Sequence, residues 1–214
     1  MKNITIIGAG GHSKVIRDII LASQKYKIIA ILDDKYKNVT NDKLTIKGPI
    51  EHAKNLFENH NSEFVIAVGD NKVRKEIVKL LNIPDNSYST LVHPTAFISP
   101  SVKLGFGVVV MPQALINADS IVGNHVIINS SASVGHDTIL GDFVHISPNS
   151  TLTGGSQVGE GTQIGAGAVL IPCKQIGEWS MVGAGSTVTK DIPSKCLAVG
   201  CPAKVIKENY RSDK

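Results

Sequence analysis

Aromatic side chains are scarce in this chain of 214 residues, with Phe, Trp and Tyr at 5% of the total. That argues against a bulky core built on rings and favours thin, repetitive layers. Cysteine is nearly absent. Cys173, Cys196 and Cys201 form no CxxC pair and are odd in number, which argues against a disulfide framework and fits a reducing compartment. No stretch approaches the roughly 18–20 apolar residues of a membrane-spanning helix. The opening run Ile4-Thr5-Ile6-Ile7 is cut short by glycines, so it reads as a buried strand rather than a signal peptide. A cytoplasmic protein with no membrane partner is expected. A dense Lys/Arg run is also missing, and a net charge of +4 on scattered lysines gives no basis for a nucleic-acid partner. There is no GxSxG elbow and no cysteine beside a histidine, so a covalent nucleophile is unsupported.

Glycine, in contrast, is plentiful, with 20 residues. Near the N-terminus it punctuates an α/β pattern. The strand Ile4–Ile7 runs into Gly8-Ala9-Gly10-Gly11-His12-Ser13, and residues 14–22 then carry apolar side chains at helical spacing, with Ser13 placed to cap the helix. Glycines permit a tight turn, and the free N–H groups of a helix start attract phosphate. Lys27–Leu32 reads as a second strand ending in Asp33-Asp34, where nucleotide-binding folds often place a ribose or base contact. A helix over 51–59, a strand over 63–68 ending in Gly69-Asp70-Asn71, and an amphipathic helix over 72–81 complete a small parallel α/β domain over residues 1–90. A short linking strand is expected at Ser89–Val92. The glycine motif departs from GxGxxG, and the domain is half a two-part dinucleotide unit. A mononucleotide-sized ligand therefore fits better than a dinucleotide.

From Ile98 to Val188 every sixth residue is aliphatic, through Leu104, Val110, Ile116 and onward without a break. Positions two residues earlier are mostly small or β-branched, with Lys174 as the exception. Gly105, Gly123, Gly141, Gly159 and Gly177 recur at intervals of 18. Six residues thus make one flat side and three sides make one coil, whose strands stack at about 4.8 Å. This is a parallel β-helix, expected within residues 91–192. A period of six holds no single face of a 3.6-period α-helix. Residues 193–214 are expected to form a loop and a short helix or tail.

Few reactive side chains interrupt the repeat. His136, with Asp137 beside it, suits a general base whose tautomer a carboxylate holds. Neighbours on a straight strand point apart, but at a coil corner they need not. His145 lies nine residues on, outside the inward column and near a corner, as a candidate ligand contact; His125 is read as structural or surface. The histidines lack a matching Cys/His/Asp cluster, and no metal is expected. A backbone N–H at Gly154 or Gly155 is the candidate oxyanion donor. Gly165-Ala166-Gly167-Ala168 and Gly183-Ala184-Gly185-Ser186 lie one coil apart and form a strip of small residues with accessible backbone groups.

The motifs GAGGHS at 8–13, LDD at 32–34, AVGDN at 67–71, HPTA at 93–96, GHD at 135–137, GDFVHISP at 141–148, GAGAV at 165–169, VGAGSTVTKDIP at 182–193 and GCPAK at 200–204 together carry a resemblance over residues 2 to about 206. The chain resembles the sugar O-acyltransferases of the sialic-acid acetyltransferase type. That group includes the nucleotide-linked amino-sugar N-acetyltransferases of bacillosamine and perosamine synthesis and exopolysaccharide proteins of Gram-positive bacteria. The resemblance implies a small Rossmann-like domain followed by a left-handed β-helix of hexapeptide repeats, assembled as a homotrimer with active sites between prisms. It implies acetyl-CoA as co-substrate and a nucleotide sugar as acceptor. His136 matches the catalytic histidine, Asp137 its acidic neighbour and His145 the cofactor-contacting histidine. Ala166 and Ala184, with Gly154 and Gly155, are then expected along the pantetheine arm, and Lys190 or Lys204 near coenzyme A phosphates. Gly10, Gly11, His12, Asp33 and Asp34 would hold the nucleotide, and Asn71 and Arg74 would reach sugar or phosphate. A histidine base serves amines and hydroxyls alike, so N- and O-acetylation both stay open, as does a non-catalytic sugar-binding trimer.

Overall fold

A computed structural model of the protein describes residues 1–42 and 45–210. The chain divides into two compact units, Met1–Pro94 and the segment from Thr95 onward.

The first unit is built on a five-stranded sheet. Strand β1 (Lys2–Ile7) is followed by helix α1 (Gly11–Ser23), β2 (Tyr26–Leu32), β3 (Thr40–Asp42), β4 (Thr45–Gly48), helix α2 (Ala53–His60), β5 (Glu63–Ile66) and helix α3 (Asn71–Leu81). The order is β3-β4-β2-β1-β5, parallel except for β3. Chain direction across the sheet reverses at β1, so β2 and β5 flank it and a crevice opens at its C-terminal end. The helices are amphipathic. Ile16, Ile19 and Ile20 of α1 and Ile77 and Leu81 of α3 are buried, and each such side chain contributes about 1.5–3 kcal/mol. The hairpin β3–β4 was not predicted. Every residue of β3 is exposed, and a strand held only by edge pairing carries no hydrophobic alternation to announce it. Ser13 does not cap α1. The N-cap is Gly10, and Ser13 lies buried in the first turn with its Oγ donating to the Gly10 carbonyl at 2.7 Å.

The second unit is a left-handed parallel β-helix. Its two-residue strands form three parallel sheets. One face runs from Phe97–Ile98 through Ser133–Val134 to Thr187–Val188, the next from Lys103–Leu104 through Ile139–Leu140 to Gln175–Ile176. The third runs from Val109–Val110 through His145–Ile146 to Met181–Val182. Strands 18 residues apart pair, as Val134 does with Leu152 and Leu140 with Val158. The aliphatic column points inward and is buried from Val110 to Val188. Ile98 and Leu104, in the first coil, are only half-buried. Several core hydroxyls bond to the backbone, as Ser120 Oγ does to the Gly135 carbonyl at 2.9 Å, whereas Thr138 Oγ1 is buried without a partner. The corners turn through residues with left-handed backbone, among them Asp119, His125, Asp137, Phe143, Gly155 and Cys173.

After residue 192 the expected loop is present at 193–196, and strand stands where a short helix or tail was expected. Leu197–Gly200 adds parallel to Met181–Val182, and Ala203–Lys207 folds back antiparallel against it. Residues 211–214 of that segment lie outside the described residues.

Candidate active site

His136 sits at a corner, between the strands Ser133–Val134 and Ile139–Leu140. Asp137 occupies the left-handed turn position, φ +55°, and this bend swings its carboxylate onto the neighbouring ring. His136 Nδ1 and Asp137 Oδ2 are 2.6 Å apart. A carboxylate only accepts, so Nδ1 carries the proton and Nε2 is left as the basic atom. The side chain is 68% exposed, open to a reactant. Gly155 donates its N–H to the His136 carbonyl at 2.9 Å, which spends that donor on the coil and leaves Gly154 as the candidate oxyanion donor.

His145 is not at a corner. It takes the outward position of a strand, paired with Ile127 and Gln163, and is only 9% exposed. One residue before inward Ile146, it must point out of the sheet. Its Nε2 lies 3.1 Å from Asn129 Nδ2, a partner the sequence reading missed because 16 residues separate them. His136 and His145 therefore lie on different sides of the prism. The glycine strip follows the strands of His145's face, not those flanking His136. The Gly185 N–H donates to the Ala166 carbonyl at 2.8 Å, and the space a side chain would fill at Gly167 and Gly185 is open. Lys190 is exposed and shares the His136 corner, three coils further on, about 14 Å away at the strand spacing. His125 is buried and its ring stacks on Phe143 at 5.2 Å, a structural role.

In the first unit the crevice joins the glycine loop to the loop after β5. Gly8, φ +105°, crosses so close to β5 that a Cβ would lie 2.9 Å from the Ala67 carbonyl oxygen. Gly10 and Gly11 face open space and are exposed, as a ligand-cradling loop requires. Asp33 is turned onto the loop itself. Its Oδ2 accepts from the Ala9 N–H at 2.6 Å and its Oδ1 from the Lys35 N–H at 3.0 Å, while Lys35 Nζ donates to the Ala9 carbonyl at 2.8 Å. Lys35 was not singled out from sequence. Asp34 is exposed, with Oδ1 3.3 Å from the Ile50 N–H. Asn71 and Arg74, expected to reach sugar or phosphate, are buried side chains. Both are 1% exposed. Arg74 donates to the carbonyls of Val68 and Gly69, at 3.1 and 3.3 Å, and to Asn71 Oδ1 at 2.9 Å, so it clamps the loop from beneath. Burial pulls its guanidinium down to about 9, with Asp70 opposing, so it stays a cation at neutral pH.

His12 completes this crevice. Burial, then the charge of Arg74, push its imidazole down to about 4. The unfolded chain takes up this proton near pH 6.5, whereas the folded one resists until about 4. In that window the unfolded state binds more protons, so His12 makes stability fall as pH drops and costs nothing above about pH 7. By about pH 5 the loss amounts to roughly 2 kcal/mol. Urea unfolding of the wild type and of His12→Gln at both pH values should show a shallower pH dependence in the variant. Equal slopes would count against this placement of His12.

A β-helix with an exposed His–Asp pair, joined to a small α/β unit, has the architecture of a hexapeptide-repeat protein. Residues 3–81 match the PglD N-terminal domain family, and residues 119–154 and 155–190 match the bacterial transferase hexapeptide (six repeats) family. The chain is 36% identical to perosamine N-acetyltransferase from Caulobacter crescentus, solved as a histidine-to-asparagine variant in complex with CoA and GDP-perosamine. That comparison covers 97% of this chain and 98% of the other, with a TM-score of 0.88. It is 34% identical to the acetyltransferase domain of PglB from Neisseria gonorrhoeae in complex with acetyl coenzyme A, over 96% and 99% of the two chains, with a TM-score of 0.86. Over 112 residues it is 42% identical to UDP-N-acetylbacillosamine N-acetyltransferase of Bacillus subtilis (strain 168), a match spanning 51% of each, about half the length of that curated relative. The chain belongs to the family of nucleotide-amino-sugar N-acetyltransferases built on a left-handed β-helix. Among the described residues, no helix is long and apolar enough to cross a membrane.

Proposed function

We propose that the protein transfers the acetyl group of acetyl-CoA to the 4-amino group of a UDP- or GDP-linked deoxy-amino sugar, for surface or exopolysaccharide synthesis. The observation that carries this reading is the His136–Asp137 pair, 2.6 Å apart on an open corner. His136 Nε2 takes a proton from the sugar amine as its nitrogen attacks the thioester carbonyl. The C–N bond forms, the C–S bond breaks, and the proton passes to the departing sulfur, giving an amide and free CoA. Asp137 holds Nδ1–H and supports the transient imidazolium. The N–H of Gly154 stabilises the oxyanion. The open crevice at Gly10 and Gly11, with Asp34 at its rim, receives the nucleotide, while Asp33, Asn71 and Arg74 hold its walls.

The same geometry supports a homotrimer. A single convex prism separates His136 from His145 and from the strip of Ala166 and Ala184. In a symmetric trimer the corner of one copy faces the side of the next, and each groove collects both sets. Lys190 then stands at the His136 edge of the groove, toward the phosphates of CoA.

The test is thiol release from acetyl-CoA with a panel of UDP- and GDP-linked 4-amino sugars and with sialic acid. Turnover on a nucleotide amino sugar supports the reading. Turnover on sialic acid alone would replace it with O-acetylation, and turnover on nothing would leave a sugar-binding scaffold.

A further inference from the structure

We infer that Gly154 is a positioning residue for His136: its missing side chain is the space in which the imidazole lies. This inference rests on the reading of His136 as the base, but the placement is tested separately.

The geometry is local. A Cβ built on Gly154 would lie 2.5 Å from His136 Nε2, 2.6 Å from Cε1 and 3.1 Å from Cδ2. Thus the whole far edge of the ring, the edge bearing the basic nitrogen, rests over the Gly154 Cα one coil further along the prism. No backbone requirement explains the glycine. Its φ lies outside the left-handed region, where an alanine is at no disadvantage. Sequence register isolates the position further. Residues two past the inward aliphatic run from Pro100 and Phe106 to Ala184 and Lys190, and each one except Gly154 bears a side chain. The one gap in that column lies next to the one histidine in it.

The consequence concerns orientation. With Nδ1 bonded to Asp137 and the Nε2 edge lying over Gly154, the ring is held at both ends. A methyl group at residue 154 would lie 2.5 Å from Nε2, so the ring must shift, and a rotation about χ1 would break the 2.6 Å contact with Asp137. Misplacing a reacting group by about 1 Å costs on the order of 100-fold in rate. The alanine keeps its own N–H, so loss of an oxyanion donor does not produce this result.

The test compares Gly154→Ala with the wild type in the intact protein. Three results are expected: kcat lower by roughly 10- to 100-fold, KM for both substrates within about threefold, and the His136 ring nitrogens, read by long-range ¹⁵N correlation, moving away from the Nδ1–H tautomer. A thermal cycle adds a readout independent of activity. Alanine at 154 should lower Tm in the wild type but not in His136→Ala, where the ring is gone. Unchanged kcat with an unchanged ring spectrum would overturn the inference, as would a raised KM for acetyl-CoA alone. Equal Tm losses in both backgrounds would overturn it as well. If instead His136→Ala retains turnover, the base reading falls, while the spectrum and the thermal cycle still decide where the ring is held.

Discussion

His136→Ala is expected to lower kcat by roughly 100-fold or more, with KM for both substrates changed by less than about threefold. General-base catalysis by one positioned side chain is worth about 10²–10⁴ in rate. The imidazole is exposed at a corner and belongs to neither the aliphatic column nor the hydroxyl ladder, so its removal leaves the coil intact. Folding is therefore not what fails, and Tm should stay within a few degrees. Asp137→Asn separates orientation from charge. Its amide can donate to Nδ1 and favour the tautomer that carries its proton on Nε2, so turnover should fall to a level between wild type and His136→Ala. Steady-state thiol release checks both variants. Turnover within about twofold of wild type in His136→Ala would remove that residue from the role of base.

Arg74→Ala is expected to destabilise the first unit by about 3–5 kcal/mol. The substitution leaves the carbonyls of Val68 and Gly69 and the Asn71 side chain without their buried donor, and each such orphaned group costs about 1–3 kcal/mol. Arg74→Lys should recover little, because an ammonium cannot span these acceptors as the planar guanidinium does. Urea unfolding of the unliganded protein separates a clamp from a ligand contact. A direct phosphate contact predicts near-normal stability with weakened nucleotide binding. A clamp predicts the stability loss in the absence of any ligand, and normal unfolding of Arg74→Ala would refute it.

The β-helix was legible because its signal repeats in every coil. Each turn places an aliphatic inward at the same interval, and no other element keeps a period of six. The His136–Asp137 pair was legible for a different reason, since adjacent residues meet when one takes the left-handed corner position. His145 shows how register can be overlooked. Its place one residue before inward Ile146 already puts it on an outward strand face. Arg74 shares helical spacing with Ile77 and Leu81, so the pattern that buries those two also buries Arg74. Asp33, expected to meet a nucleotide, accepts from the N–H of Ala9 in the glycine turn and from that of Lys35. Nothing in its sequence context tells a carboxylate that binds its own loop from one that binds a ligand. The Asn129–His145 contact joins residues 16 apart across a coil, a distance that local patterns do not record.

The hairpin at the end of the prism bears on solution behaviour. Stacked coils expose unpaired N–H and C=O groups on their last turn, which is an invitation to grow end to end with another molecule. On one of the three sheets, Ala203–Lys207 turns the ladder antiparallel and presents Lys204 and Lys207 on the outermost strand. Lysine on a terminal strand discourages further pairing. The same strand holds Ile206, 62% exposed. Removal of residues 203–207 would bare Leu197–Gly200 as a new, uncharged edge, the kind of terminus from which fibres and insoluble aggregates grow.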